Sequence, residues 1–225
     1  MKMINRTPAI GCAFVDIGGV LLTDGWDRHA RKRAVTHFRL ELAETEDRHQ
    51  LTWNAYQEDK LTLEEYLSCV IFYKKRAFTR AQFRKFMLAQ SKPDLKMIEL
   101  IAQLKSRHGL KIFVVSNEGR ELNTYRIRKF GLDRFVDAFI SSCFVRVLKP
   151  DADIFRLALD IAQVPARQVV YIENTQMFVQ IAERLGICGI LHTDYVSTRA
   201  KLNALGLLDE ERPPRNGLGT HRRDQ

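Results

Sequence analysis

The chain has 225 residues, long enough to bury one sizeable core with a smaller satellite beside it. Hydrophobic residues make up 45% and charged residues 28%, ordinary values for a globular protein, and no apolar run reaches the roughly 18 residues of a membrane span. The formal charge of +9 raises the question of nucleic acid, but no aromatic-rich basic strand or recognition-helix pattern accompanies it, so neither nucleic acid nor membrane is expected as a partner.

The first predicted strand is the apolar run AIGCAFV at 9–15. The segment MKMINRTPAIGC around its start has basic residues but no continuous apolar stretch of secretory-signal length, so a cytoplasmic location is expected. Behind the strand come Asp16, Gly18 and Gly19, and then a long stretch, 26–90, that reads as helix throughout. The charged run Asp27 to Asp47 and the aromatic LTWNAYQ suggest one or two helices. Thr62-x-x-Glu65 is a capping box ahead of Leu63, Tyr66, Leu67, Val70 and Ile71, and Thr79-x-x-Gln82 repeats it before Phe83, Phe86 and Met87. Residues 26–92 hold 14 Lys or Arg against 9 Asp or Glu, a net of +5. That excess reads either as solvated helix faces or as a positive field for an anionic small molecule.

A helix beginning near Pro93 returns the chain to alternation. The runs KIFVVS (111–116), AFIS (138–141), QVVYI (168–172) and CGILH (188–192) read as buried parallel strands. Helical periods separate them: Leu122 to Phe130, then Phe155, Ala158, Leu159 and Ala162, then Phe178, Ile181, Ala182 and Leu185. The pattern predicts an α/β fold, a Rossmann-like three-layer core with a parallel sheet made from 8–25 and 91–208, plus an inserted α-helical subdomain at 26–90. The segment 209–225, rich in Pro, Gly and charge, is expected to be disordered. Cys12, Cys69, Cys143 and Cys188 form no Cys-x-x-Cys pair and are expected as reduced, mostly buried thiols; the six histidines lack helical zinc spacing.

Ligands of an open parallel sheet bind beyond the carboxyl ends of its strands. Four polar clusters fall there: Asp16 with Gly18 and Gly19, Ser116 with Asn117, Lys149 with Pro150, and Glu173 with Asn174. Together they offer two carboxylates, a hydroxyl, an amide and an ammonium, a set suited to phosphoryl transfer. A carboxylate can attack phosphorus and divide one hydrolysis into two displacements, while a divalent cation and a lysine offset the charge.

These clusters, in this order, resemble the motifs of the haloacid dehalogenase superfamily: Asp16-Ile17-Gly18-Gly19-Val20-Leu21, Val115-Ser116-Asn117, Lys149-Pro150-Asp151 and Tyr171-Ile172-Glu173-Asn174. The resemblance covers about 10–192, and the helical insertion looks like the cap of many members. It implies Asp16 as nucleophile, Lys149 as its electrostatic anchor, phosphate contacts from Ser116, Asn117 and Lys149, and Mg²⁺ on Asp16, the Gly18 carbonyl and Glu173. The expected activity is hydrolysis of a small phosphorylated metabolite. Two departures qualify the resemblance. Gly18 stands where most family phosphatases carry the acid/base Asp, and Asn174 follows Glu173 where two aspartates are commoner. Asp24 is the nearest substitute carboxylate, although TDGW reads first as a turn. A pseudoenzyme binding a phosphorylated ligand or a protein partner, and a metal-free 2-haloacid dehalogenase, are the competing readings.

Overall fold

The structure, a computed structural model, describes residues 9–208; the tail expected to be disordered, 209–225, lies outside the described residues. Five strands, β1 (Cys12–Val15), β2 (Lys111–Ser116), β3 (Ala138–Ser141), β4 (Val169–Glu173) and β5 (Cys188–Leu191), pair in parallel in the order β3-β2-β1-β4-β5. The described helices are α1 (Arg28–Phe38), α2 (Leu42–Gln57), α3 (Leu63–Val70), α4 (Arg80–Leu88), α5 (Leu95–His108), α6 (Arg120–Phe130), α7 (Ser142–Val145), α8 (Asp153–Ala162), α9 (Gln176–Arg184) and α10 (Tyr195–Ala204).

Successive side chains of a strand point to opposite faces, and both faces of this sheet are covered. Ala13 and Val15 of β1 enter one apolar cluster with Met97, Leu100 and Leu104 of α5 and Leu202 of α10. Cys12 and Phe14 enter the other, against Ile154, Phe155 and Ala158 of α8 and Ala182 of α9. The result is a three-layer α/β core. Its helix α5 starts at Leu95, two residues beyond the expected Pro93. Asp94 is the reason: its carboxylate caps the helix by accepting from the Met97 N–H (3.0 Å), while Pro93 stays outside in a bridge to Leu22.

Helices α1 to α4 fall between β1 and α5 and pack around Trp26, Tyr56, Tyr66, Leu67, Phe83 and Met87. The charged run becomes two helices because Arg39 turns left-handed (φ 53) and closes α1. Both capping boxes form, Thr62 with Glu65 and Thr79 with Gln82. Leu122 of α6 completes this cluster and so joins the insertion to the α/β unit. The chain leaves and rejoins that unit side by side: the Thr23 N–H donates to the Lys92 carbonyl and the Asp94 N–H to the Leu21 carbonyl, each at 2.9 Å. Among the described residues no helix is long and apolar enough to cross a membrane. Cys12 and Cys143 are buried free thiols, Cys188 is half-buried and Cys69 is exposed.

Candidate active site

The sheet grows from β1 toward β2 and β3 on one side and toward β4 and β5 on the other, so β1 marks the point where ligands of open sheets bind. Asp16, just past β1, donates its N–H to the Ile172 carbonyl of β4 (3.0 Å), and its Oδ1 accepts from the Ile17 N–H (2.9 Å). Ser116 ends β2 and Glu173 ends β4, which places them on either side of it. Lys149 enters from the loop after α7. Its Nζ lies 3.2 Å from Asp16 Oδ1 and 2.7 Å from Glu173 Oε2, and it also donates to the Val115 carbonyl (3.2 Å) and the Tyr171 hydroxyl (3.1 Å). Asp16, Ser116, Lys149 and Glu173 are all buried.

Burial, and after it the repulsion of Glu173, pushes the Asp16 carboxyl up to about 7, against the attraction of Lys149 and a hydrogen bond from Ser116. For Lys149 burial acts the other way, but Asp16 and Glu173 together outweigh it and hold the ammonium above the ordinary lysine range. The lysine therefore stays charged. It is the counter-ion that lets two carboxylates share one buried corner. Glu173 is further fixed by the Tyr171 hydroxyl on Oε2 and by the Thr175 N–H on Oε1 (2.9 Å). The Asn174 amide, turned to suit its neighbours, donates to Glu173 Oε1 (2.8 Å) and to the Gly18 carbonyl (3.3 Å).

Asn117 lines the cavity and also serves Lys149. Its Nδ2 donates to the Lys149 carbonyl and its Oδ1 accepts from the Lys149 N–H, both at 2.8 Å. The amide thus holds the lysine backbone in place.

Sequence reading missed Glu118 and Arg126, both of which line the site. Arg126 lies one helical turn after Leu122 and one before Phe130, on the stripe that predicted α6; a charge on that apolar face was the available signal. Its Nη1 pairs with Glu118, its Nε donates to Ser91 Oγ (3.0 Å), and its Nη2 donates to the carbonyls of Thr23 (3.3 Å) and Asp24 (2.8 Å). Burial lifts the Glu118 carboxyl above its usual range despite this arginine. The turn expected at Asp24-Gly25 is present, with Gly25 left-handed at φ 74. Asp24 nevertheless lines the same cavity as Asp16, with its carboxylate beside Gly18.

The cavity measures about 240 Å³, and Trp26, Arg31, Trp53 and Gln57 of the helical insertion complete its wall. It has room for a small substrate. Arg31 contributes bulk more than free charge: its Nε and Nη2 bind both oxygens of Glu46 (2.7 and 2.8 Å), and its Nη1 donates to the Trp26 carbonyl (2.7 Å). Two wider depressions of about 630 Å³ elsewhere on the molecule contain none of the strand-end residues.

The sequence model described as haloacid dehalogenase-like hydrolase matches residues 10–186. The chain belongs to the haloacid dehalogenase-like hydrolases. Solved structures sharing this HAD fold include a HAD family enzyme of Bacteroides thetaiotaomicron, 18% identical over 81% of this chain and 93% of that one, with a TM-score of 0.69. That enzyme has also been solved with magnesium and inorganic phosphate. A predicted HAD-like family hydrolase of Porphyromonas gingivalis is 20% identical over 86% and 98% of the two chains (TM-score 0.68). L-2-haloacid dehalogenase from Xanthobacter autotrophicus is 17% identical over 80% and 76% (TM-score 0.57). No curated protein matches the sequence. These likenesses establish the HAD fold, and its chemistry must be argued from the site.

Proposed function

We propose that this HAD-like hydrolase cleaves a small phosphate monoester, with Asp16 as nucleophile and Mg²⁺ as cofactor. The observation that carries the reading is the charge around the cavity. Asp16, Asp24, Glu118 and Glu173 bring carboxylates, against which stand Lys149, paired with Asp16 and Glu173, and Arg126, paired with Glu118. A phosphate dianion added to that set needs further positive charge, which a divalent ion supplies. The donor set suits a hard cation. Among the described residues no three His, Cys, Asp or Glu side chains form a metal cluster. A backbone oxygen is at hand to join the carboxylates: the Gly18 carbonyl lies beside Glu173 Oε1, both within reach of one atom of the Asn174 amide. Asp16, the Gly18 carbonyl and Glu173 would hold Mg²⁺, which when bound neutralises the phosphoryl oxygens.

The protein's own groups divide the remaining work. Asp16 attacks phosphorus and displaces the ester oxygen, forming an aspartyl phosphate that water then hydrolyses. Lys149, kept protonated and held through its backbone by Asn117, orients Asp16 and offsets the transferred charge. The Ser116 hydroxyl donates to a phosphoryl oxygen. Trp26, Arg31, Trp53 and Gln57 of the insertion wall the side of the cavity the substrate enters against. Likeness in fold to the Bacteroides enzyme, which binds magnesium and phosphate, supports the reading.

The likeness to the Xanthobacter dehalogenase, together with the small cavity, favours a second reading in which Asp16 attacks carbon without metal. One assay set separates the two. Small phosphate monoesters are offered with Mg²⁺ or with chelator, and L-2-chloropropionate is offered with chloride detection. Phosphate release that needs Mg²⁺ and disappears in Asp16→Asn is the expected result. Chloride release untouched by chelator would establish the dehalogenase, and silence in both assays would leave a ligand-binding pseudoenzyme.

A further inference from the structure

We propose that Asp24 is the acid and base of this reaction, its carboxylate taking the place of the side chain that Gly18 lacks. The inference rests on the phosphomonoester reading and extends it to the proton transfers.

The backbone at Gly18 does not call for glycine. Gly19 (φ 72) and Gly25 (φ 74) are left-handed, whereas Gly18 has an ordinary φ open to any residue. What a side chain there would meet is Asp24. A Cβ on residue 18 would stand 3.3 Å from Asp24 Oδ1 and 3.5 Å from Asp24 Cα. The carboxylate of Asp24 thus stands against the place from which a side chain on residue 18 would project, and it lines the same cavity as Asp16, Ser116 and Lys149.

The turn that carries Asp24 is fixed through its backbone. Arg126 donates to the Thr23 and Asp24 carbonyls (3.3 and 2.8 Å), and the Trp26 N–H donates to the Asp24 carbonyl (2.9 Å). Arg126 is itself immobilised by Glu118 and Ser91 in the interior. None of these bonds uses the Asp24 carboxylate. Asp24 is also exposed on its outer side, so it exchanges protons with solvent between turnovers. Rigid mounting, cavity access and contact with water are the requirements of a general acid and base.

The steps balance as follows. A carboxylate oxygen of Asp16 bonds to phosphorus while the bond from phosphorus to the ester oxygen breaks; that oxygen keeps the electron pair and takes the proton of the Asp24 carboxyl, leaving as alcohol. Water then attacks the aspartyl phosphate and yields its proton to the Asp24 carboxylate. The bond from phosphorus to Asp16 breaks, inorganic phosphate departs, and both aspartates return to their starting states.

The test is leaving-group dependence, measured with Mg²⁺ present on a small alkyl phosphate and on p-nitrophenyl phosphate. The alkyl oxygen needs a proton to leave and the nitrophenolate does not. Asp24→Asn should lower kcat/KM for the alkyl ester by about 10²-fold or more, and for the aryl ester by less than about ten-fold. The double variant Gly18→Asp with Asp24→Ala, which moves the carboxylate into the adjoining volume, should recover at least about ten-fold over Asp24→Ala on the alkyl ester. Equal losses on both esters, or no loss, would overturn the role of Asp24 while leaving Asp16 as nucleophile. A wild-type enzyme inactive on both esters would remove the phosphomonoester reading itself, and this role with it.

Discussion

Glycines 18, 19 and 25 lie within one turn of chain and are glycine for different reasons. At Gly18 a Cβ would be crowded by the Asp24 carboxylate, 3.3 Å away. At Gly19 a Cβ would fall 2.5 Å from Asn174 Cγ, and at Gly25 it would fall 1.7 Å from Arg126 Nη2, in addition to the positive φ of each. Gly25→Ala should therefore combine left-handed backbone strain with displacement of a buried arginine, costing about 2 to 4 kcal/mol. Urea denaturation measures that cost, and a loss under about 1 kcal/mol would show that Arg126 moves freely. This turn also marks how far sequence reading reaches at the residue scale. TDGW identifies a turn because glycine and aspartate have local backbone preferences. Where the aspartate points depends on Arg126, about a hundred positions later in the chain, and no local spacing encodes that. Asn117 is a similar case: its place after β2 was legible, but its engagement by the Lys149 backbone arises from a contact between distant loops.

At the scale of elements the boundaries were legible where the signal is local. Strands β2 and β3 and both capping boxes fall where apolar runs and Thr-x-x-Glu or Thr-x-x-Gln spacing put them. The break between α1 and α2 was not legible, because Arg39 carries no turn signature and adopts its left-handed conformation only to close the helix. Nor was the polar chain inside the insertion. Trp26 Nε1 donates to the Tyr66 hydroxyl (2.9 Å), and that hydroxyl in turn meets His49 Nδ1 (2.8 Å). Burial, reinforced by Arg31, holds His49 down at about 3, against 6.5 for an unperturbed histidine. Between those values the unfolded chain binds the extra proton and the folded one does not, so stability falls as pH drops from 6.5 toward 3. The slope is at most about 1.4 kcal/mol per pH unit from this residue. His49→Gln keeps a hydrogen-bonding group for Tyr66 without a titrating ring. Urea titrations of both proteins at neutral and mildly acidic pH should show a shallower acid loss in the variant, and parallel curves would clear His49 of the effect.

For the molecule as a whole, the helical insertion is held to the α/β unit at two kinds of contact, and they differ in strength. At the chain crossings, residues 21–23 and 92–94 are joined by backbone hydrogen bonds. At the ends of α2 and α3 the contacts run through side chains: Gln57 Nε2 to the Asn117 carbonyl (3.0 Å), Ser142 Oγ to the Gln57 carbonyl (2.9 Å), the Leu63 N–H to Glu121 Oε1 (3.0 Å), and the partly exposed pair of Arg120 with Asp59. Water can replace such bonds one at a time, and an exposed ion pair adds only about 0 to 1 kcal/mol. The ring of Tyr56 is what packs this side, against Gly119, where a Cβ would stand 1.9 Å from the ring's Cε1. Gly119 has an ordinary φ of −78, so Gly119→Ala acts through crowding alone. It should push the end of α2 off the loop after β2 at a cost of about 1 to 3 kcal/mol. Gln57 and Trp53 wall the cavity from α2, so substrate affinity should fall more than kcat. Hydrogen exchange distinguishes loosening from general unfolding. Amides in the last turns of α2 should exchange faster while those of Thr23 and Asp94 at the crossings keep their protection, and equal acceleration at both places would mean that the insertion and the sheet open as one unit.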